Sequence, residues 1–297
     1  MALVTPSYGA DYDCCRLLVC TAARALPVTV HHYIIVERRE LEQFATLAGP
    51  RTSILVAEEL LPEWMRSSGD ADWSWMSEHS GPFTGWMAQQ LLKLSVFDAI
   101  TEDVAVFCDS DNAFFRPFDP HEALVLDGRV GLLRVPFASD QQRRWGRISA
   151  ELLGTDAAEV PDVTYVGNVI AWRREVVVGL HRRLAEVSGT DWQEAFVRRV
   201  ALSEYSLYGT YVDQVLGLEA SGHFVFTKEL MLPSWGTPIL TREDAVRFVK
   251  RVRPDHVGLM VHSKDRAQVD WYSGYVLDVL ASSTGPSDDP RDRLAWT

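Results

Sequence analysis

Val104-Ala105-Val106-Phe107-Cys108-Asp109-Ser110-Asp111 is the stretch on which the reading of this chain turns. Five consecutive apolar residues fit a short buried strand, and two carboxylates follow where that strand stops. In α/β sheets the carboxyl ends of the strands border the ligand crevice. Residues i and i+2 of a strand share a face, so a turn at the strand end lets both carboxylates converge on one point. Two such anions about 4 Å apart repel by roughly 4 kcal/mol at an effective dielectric near 20. The pair therefore calls for a cation, a shared proton or strong donors. A hard divalent ion with oxygen ligands, bridging to phosphate and keeping some water, meets that need. The bland alternative is a solvated turn at a strand end.

Working outward, the N-terminal side alternates strand and helix. Ala2 to Val4 reads as a buried strand, Cys14 to Ala25 as a helix and Val28 to Val36 as a strand. Arg38 to Ala48 reads as a helix stopping at Gly49-Pro50, and Ser53 to Val56 as a third strand. That order predicts parallel strands with crossover helices. Leu61 to Gly81, with Trp64, Trp73 and Trp75 among Ser, Asp and Gly, reads as a long flap. Thr84 is placed to cap a helix over Gly85 to Ile100. Further strands are expected at Val130 to Val135, Val163 to Ala171, His223 to Phe226 and Val257 to Val261. Helices are expected at Gln141 to Leu153, Arg173 to Val187, Trp192 to Ser203, Leu207 to Leu218 and Arg242 to Val252. No repeat or linker divides the chain. The expectation is one α/β domain over residues 1–281, with a mixed, mostly parallel central sheet flanked by helices, and a polar, mobile tail over 282–297.

The 297 residues are 47% hydrophobic and 24% charged, a globular balance. A net charge of −12 repels nucleic acid and anionic membranes. An anionic ligand would need a locally positive site. No apolar run approaches the roughly 20 residues of a membrane helix, and no basic segment leads into a long apolar stretch near Met1. Cys14, Cys15, Cys20 and Cys108 show neither disulfide-framework nor zinc spacing, so reduced thiols and a cytoplasmic location are expected.

Several other residues invite a chemical reading. Trp86, Gln89, Gln90 and Lys93 are spaced i, i+3, i+4, i+7 and form one helical stripe, facing either solvent or a pocket. His262 follows the apolar run Val257 to Val261, and Lys264 stands two residues on. An imidazole at a strand end ligates metal when neutral, although a lone His is more often structural. Glu204 and Asp213 lie in an acidic, aromatic segment and are candidate general bases; both also suit a helix start. Asn168 follows Gly167, a residue that permits close approach of a backbone or ligand. Trp73, Trp75 and Trp235 have the shape to stack on a sugar, or simply to pack.

The strand with Asp109-Ser110-Asp111, followed by Phe114-Phe115-Arg116-Pro117-Phe118-Asp119, resembles the DxD region of GT-A nucleotide-sugar glycosyltransferases. Val4-Thr5-Pro6-Ser7-Tyr8 resembles the first strand and base-holding loop of such enzymes. Phe83 to Leu94 resembles the helix that precedes their DxD strand, and Val261-His262-Ser263-Lys264 resembles their late His element. The ordered set spans roughly residues 2 to 270 and resembles a bacterial glycosyltransferase-like group without an assigned substrate. The resemblance implies a GT-A-like, Rossmann-like fold and a donor that is a nucleotide-diphosphate sugar, UDP-linked by analogy. It implies a hydroxyl-bearing acceptor, a saccharide or small natural product, and a Mn²⁺ or Mg²⁺ cofactor held by Asp109, Asp111 and His262. Donor contacts would come from Thr5, Pro6, Tyr8, Lys93, Ser110 and Lys264, and sugar contacts from Trp86, Gln89, Gln90 and Asn168. The late motif of many relatives is longer and Gly-rich; here it is not.

Three rivals remain. A haloacid-dehalogenase-type phosphohydrolase also begins with an apolar strand and Asp-x-Asp, but near its N-terminus and without an Asn in the place of Asn112. A nucleotidyltransferase would carry a Gly-rich basic loop, whereas Thr5 to Asp11 has one Gly and no Lys or Arg. A sugar-nucleotide-binding protein without catalysis is the third.

Overall fold

The computed structural model describes residues 1–69, 74–137, 139–199 and 201–284. Its centre is a five-stranded sheet in the order Ile170–Arg173, Val104–Phe107, Ala2–Pro6, His31–Val36, Thr52–Val56. The last four strands are mutually parallel, and only Ile170–Arg173 runs antiparallel, at one edge. Val4 pairs with Phe107 and with Tyr33, so the first strand is central and its end lies beside the two aspartates. The fold is thus a mixed α/β domain with a mostly parallel sheet, as the alternation of apolar runs implies.

A helix over Tyr12–Ala25 packs its Leu17, Leu18, Val19 and Ala22 inward, and the helix Gly85–Ser95 buries Met87, Ala88, Leu91, Leu92 and Leu94. The hydroxyl of Thr84 accepts from the Met87 amide at 3.3 Å, the expected N-cap. These helices clamp the two sheet faces, with Phe107 and Trp172 in contact at the heart of the core.

A second, three-stranded sheet matters most for the site. Its order is Met231–Pro233, Gly258–Met260, Asn112–Phe114. Met260 pairs antiparallel with Asn112, and the Val261 amide donates to the Asp111 carbonyl at 3.0 Å. Residues 150 positions apart in sequence are thereby locked together by backbone hydrogen bonds.

The structure shortens several expected elements, the helix from Trp192 ending at Val197 and that from Arg38 reduced to Leu41–Ala45, and departs further in four places. The segment 61–83 is not a bare flap: Met65–Ser67, Trp75–Ser77 and Gly81–Phe83 form a small antiparallel sheet. Trp75 anchors it and is only 1% exposed, which removes it as a sugar platform; Trp73 lies outside the described residues. The expected strand Val163 to Ala171 is broken into Val163–Thr164 and Ile170–Arg173. Gly167 explains the break: a Cβ there would lie 2.5 Å from Leu133 Cδ2, so the chain turns tightly against its neighbour. The helix expected from Leu207 to Leu218 is Glu204–Thr210, followed by a π-turn over Tyr211–Leu216. A helix over Ser273–Thr284, unseen in the sequence, takes in residues 282–284 of the expected tail; the remainder lies outside the described residues.

Candidate active site

The carboxyl ends of the central strands open into a cleft of about 2010 Å³. Pro6, Tyr8, Trp86, Gln89, Lys93, Asp109, Ser110, Asp111, Asn168, Glu204, His262 and Lys264 all line it. Twelve of the residues singled out from the sequence therefore share one cavity. Trp235 lines it too and is 42% exposed.

Lys93 is the pivot. It is 2% exposed, and its Nζ lies 2.7 Å from Asp109 Oδ1, 3.1 Å from Glu204 Oε1 and 2.9 Å from the Tyr205 hydroxyl. Burial alone would lower its proton affinity, but Asp109, Tyr205 and Glu204 more than reverse this and hold the ammonium firmly charged. A buried ion pair is tolerable only when fully satisfied, and here all three ammonium donors have a partner. Lys93 was expected to contact the diphosphate or the donor sugar; in the cleft its ammonium lies against Asp109 and sets that carboxylate in place. Gln89 Nε2, one turn earlier, donates to the same Asp109 oxygen at 3.4 Å.

Asp111 accepts from the Ser263 amide at 3.2 Å and from Asn112 Nδ2 at 3.4 Å. Its pKa is nonetheless pushed well up, first by burial and then by Asp109 and Asp11. Asp11 was missed in the sequence. It is 8% exposed and accepts from Ser110 Oγ at 3.0 Å, and its pKa rises to about 6, mainly through burial. The only local signal for it was a carboxylate just ahead of the Tyr12–Ala25 helix, a position that reads as ordinary. Three acidic groups thus press on one another, as the spacing of Asp109 and Asp111 implied for two.

His262 lines the same cleft and feels the charge of Asp109. Its amide donates to Ser234 Oγ at 2.9 Å, and its Nδ1 is 4.0 Å from Asp265 Oδ1. Burial lowers its pKa, so the imidazole is neutral at pH 7.

Three expected site residues are drawn elsewhere. Thr5 is fully buried, donating to the Cys108 carbonyl at 2.8 Å and bonded to His32 at 2.9 Å, and does not line the cleft. Gln90 is 1% exposed and accepts from the Glu204 amide at 3.0 Å, so it fixes the Glu204–Thr210 helix rather than a ligand. Asp213 accepts from the Tyr165 hydroxyl at 2.6 Å, pairs with Arg134 at 3.4 Å and is absent from the cleft wall. Tyr165 in turn rests on Gly209, where a Cβ would lie 2.1 Å from its ring. That glycine, five residues after Glu204, lets the 165–168 loop close on the helix that carries Glu204.

Over residues 3–265 the chain matches the sequence family described as "Family of unknown function (DUF6492)". It belongs to that family. No curated protein matches this DUF6492 chain. Similar solved structures include the galactosyltransferase LgtC in complex with donor and acceptor sugar analogs (13% identity, 99% of this chain and 100% of that one, TM-score 0.49). Mouse xyloside xylosyltransferase 1 in its apo form is another, at 10% identity over 89% of this chain and 99% of that one, with a TM-score of 0.45. Among the described residues of the DUF6492 chain, no helix is long and apolar enough to cross a membrane. Among them, too, no three His, Cys, Asp or Glu side chains are already gathered around one point as a metal cage.

Proposed function

We propose that this protein is a glycosyltransferase that moves a sugar from a nucleotide-diphosphate sugar, a UDP-sugar being the first donor to test, to a hydroxyl acceptor. One observation carries the reading. At the carboxyl edge of a mostly parallel sheet, Lys93 holds Asp109 and Glu204 together, with Asp111 and His262 beside them in an open cleft. That arrangement supplies an anion-handling corner and a buried carboxylate in one cavity.

A divalent cation fits the donor set. Asp109 and Asp111 offer hard oxygens, and neutral His262 offers nitrogen. The upward shift of the Asp111 pKa is the electrostatic cost that a cation would relieve. Mg²⁺ or Mn²⁺ would be held by these one or two carboxylates, with phosphate oxygens and water completing the shell. Bound there, the ion would neutralise charge on the leaving diphosphate.

The chain's own residues do the remainder. Lys264 and Arg266 line the same corner and add positive charge for phosphate. Lys93 fixes the orientation of Asp109 and keeps Glu204 within the cleft wall. The acceptor oxygen attacks the anomeric carbon, and the bond from that carbon to the diphosphate breaks. The electron pair leaves with the nucleoside diphosphate, and Glu204 takes the hydroxyl proton. Burial raises the Glu204 pKa, which makes it a better proton acceptor than an exposed carboxylate.

The test is a thermal-shift panel of nucleotide sugars with and without Mn²⁺ or Mg²⁺. One donor is expected to stabilise the chain only with metal, by about 2.7 kcal/mol at a hundredfold excess over Kd. Asp111→Asn should abolish the shift. Equal stabilisation in EDTA would count against the metal-held donor.

A further inference from the structure

One wall of the cleft is built differently from the rest. All cleft-lining residues contributed by segments 84–89, 139–145 and 166–168 are uncharged. At its centre, Trp86 and Trp145 stand with ring centroids 5.9 Å apart and planes tilted by 33°. Trp86 is 39% exposed although it belongs to a helix whose other large apolar side chains are buried. Trp145 comes from the helix Asp140–Leu153, and its indole Nε1 is enclosed without any hydrogen-bond partner. Buried donors are seldom left unpaired, and this one costs about 1–3 kcal/mol as it stands.

We infer that Trp86 and Trp145 form the platform for an uncharged saccharide, which is the acceptor of the transfer reaction. A pyranose has an apolar face of C–H groups and a rim of hydroxyls. An indole pair offers the matching apolar surface, and its rings lose little conformational freedom on binding. Amides and hydroxyls border the pair: Gln89 on the first helix, Gln141 and Ser139 on the second. A lipid chain would need an unbroken apolar wall, and a charged acceptor would need an opposite charge; this wall has neither.

Position supports the acceptor role. Trp86 and Gln89 are three residues apart on one helix, a rise of about 4.5 Å, and Gln89 donates to Asp109. A sugar seated on Trp86 is therefore one helical turn from Gln89, which reaches Asp109, and two turns from Lys93, which holds Asp109 and Glu204. The word acceptor rests on the transferase reading; the saccharide platform does not.

The experiment separates the two. Binding of methyl β-glucoside, methyl β-galactoside, maltose, lactose and 4-nitrophenol is measured by saturation-transfer NMR and calorimetry, with and without UDP and Mn²⁺. At least one neutral saccharide is expected to bind. Trp86→Ala and Trp145→Ala should each weaken it about tenfold, while Trp86→Phe keeps it within about threefold and UDP affinity stays unchanged. The inference is overturned if no saccharide binds in either condition, if the alanine variants bind as tightly as the parent, or if only 4-nitrophenol responds. Saccharide binding without any nucleotide binding would uphold the platform and sink the transferase. Nucleotide binding without saccharide binding would do the reverse.

Discussion

The two walls of the cleft handle charge in opposite ways. One, built from Asp11, the Asp109–Asp111 turn and the 262–266 segment, packs acids against each other, pairs Asp109 with Lys93 and carries Lys264 and Arg266 along the same cleft. The other, built from Trp86, Trp145 and their amide neighbours, carries no formal charge. The first wall stores electrostatic tension that a bound cation would relieve. The second offers surface that a ligand covers. A molecule that is an anionic diphosphate at one end and reacts with a neutral sugar at the other would use both, and the join between the walls is the helix Gly85–Ser95, which carries Trp86, Gln89 and Lys93 in succession.

The largest effect that would sharpen this contrast comes from Lys93. Lys93→Met leaves Glu204 buried, and Asp109 partly exposed beside it, without their counter-charge. It should lower unfolding free energy by about 3–5 kcal/mol in urea titration. A loss below about 1 kcal/mol would mean that water already compensates these acids.

Asp11 gives a smaller, pH-dependent effect. Its carboxyl holds its proton more tightly in the folded chain, with a pKa of about 6 against 3.8 for the free group. The stability it contributes is full below about pH 4 and is lost as pH rises through 6. Asp11→Asn removes that loss, so in metal-free buffer its stability relative to the parent should climb between pH 4 and 8, by about 2 kcal/mol. Thermal unfolding at several pH values checks this; a difference independent of pH would show that burial does not raise the Asp11 pKa.

On the neutral wall, stability should barely respond. Trp86→Ala is expected to change unfolding free energy by less than about 1 kcal/mol, because the ring is partly exposed already. If it costs as much as Lys93→Met, Trp86 is a core residue and the contrast between the walls fails.

Several features were legible in the sequence because they are local. The strand ending at Asp109, the cap at Thr84 and the apolar periods of the Tyr12–Ala25 and Gly85–Ser95 helices all follow from residues within a few positions of each other. The stripe of Trp86, Gln89 and Lys93 was visible too, but its partners were not. Gln90 lies in the same stripe, yet one helical position of rotation turns it from the cleft to the Glu204 amide. Glu204 and Asp213 looked equivalent as acids near aromatics; the fold gives one to Lys93 and the other to Tyr165 and Arg134.

From the sequence by itself came the α/β alternation, the acidic turn at a strand end and the candidate helix beside it, since hydrophobic period and capping chemistry act over one or two turns of chain. The pairing of Met260 with Asn112, the approach of Asp11 to Ser110 and the meeting of Trp86 with Trp145 belong to the tertiary structure alone. They depend on how sheet edges and helices pack, and packing joins residues that no short-range pattern connects.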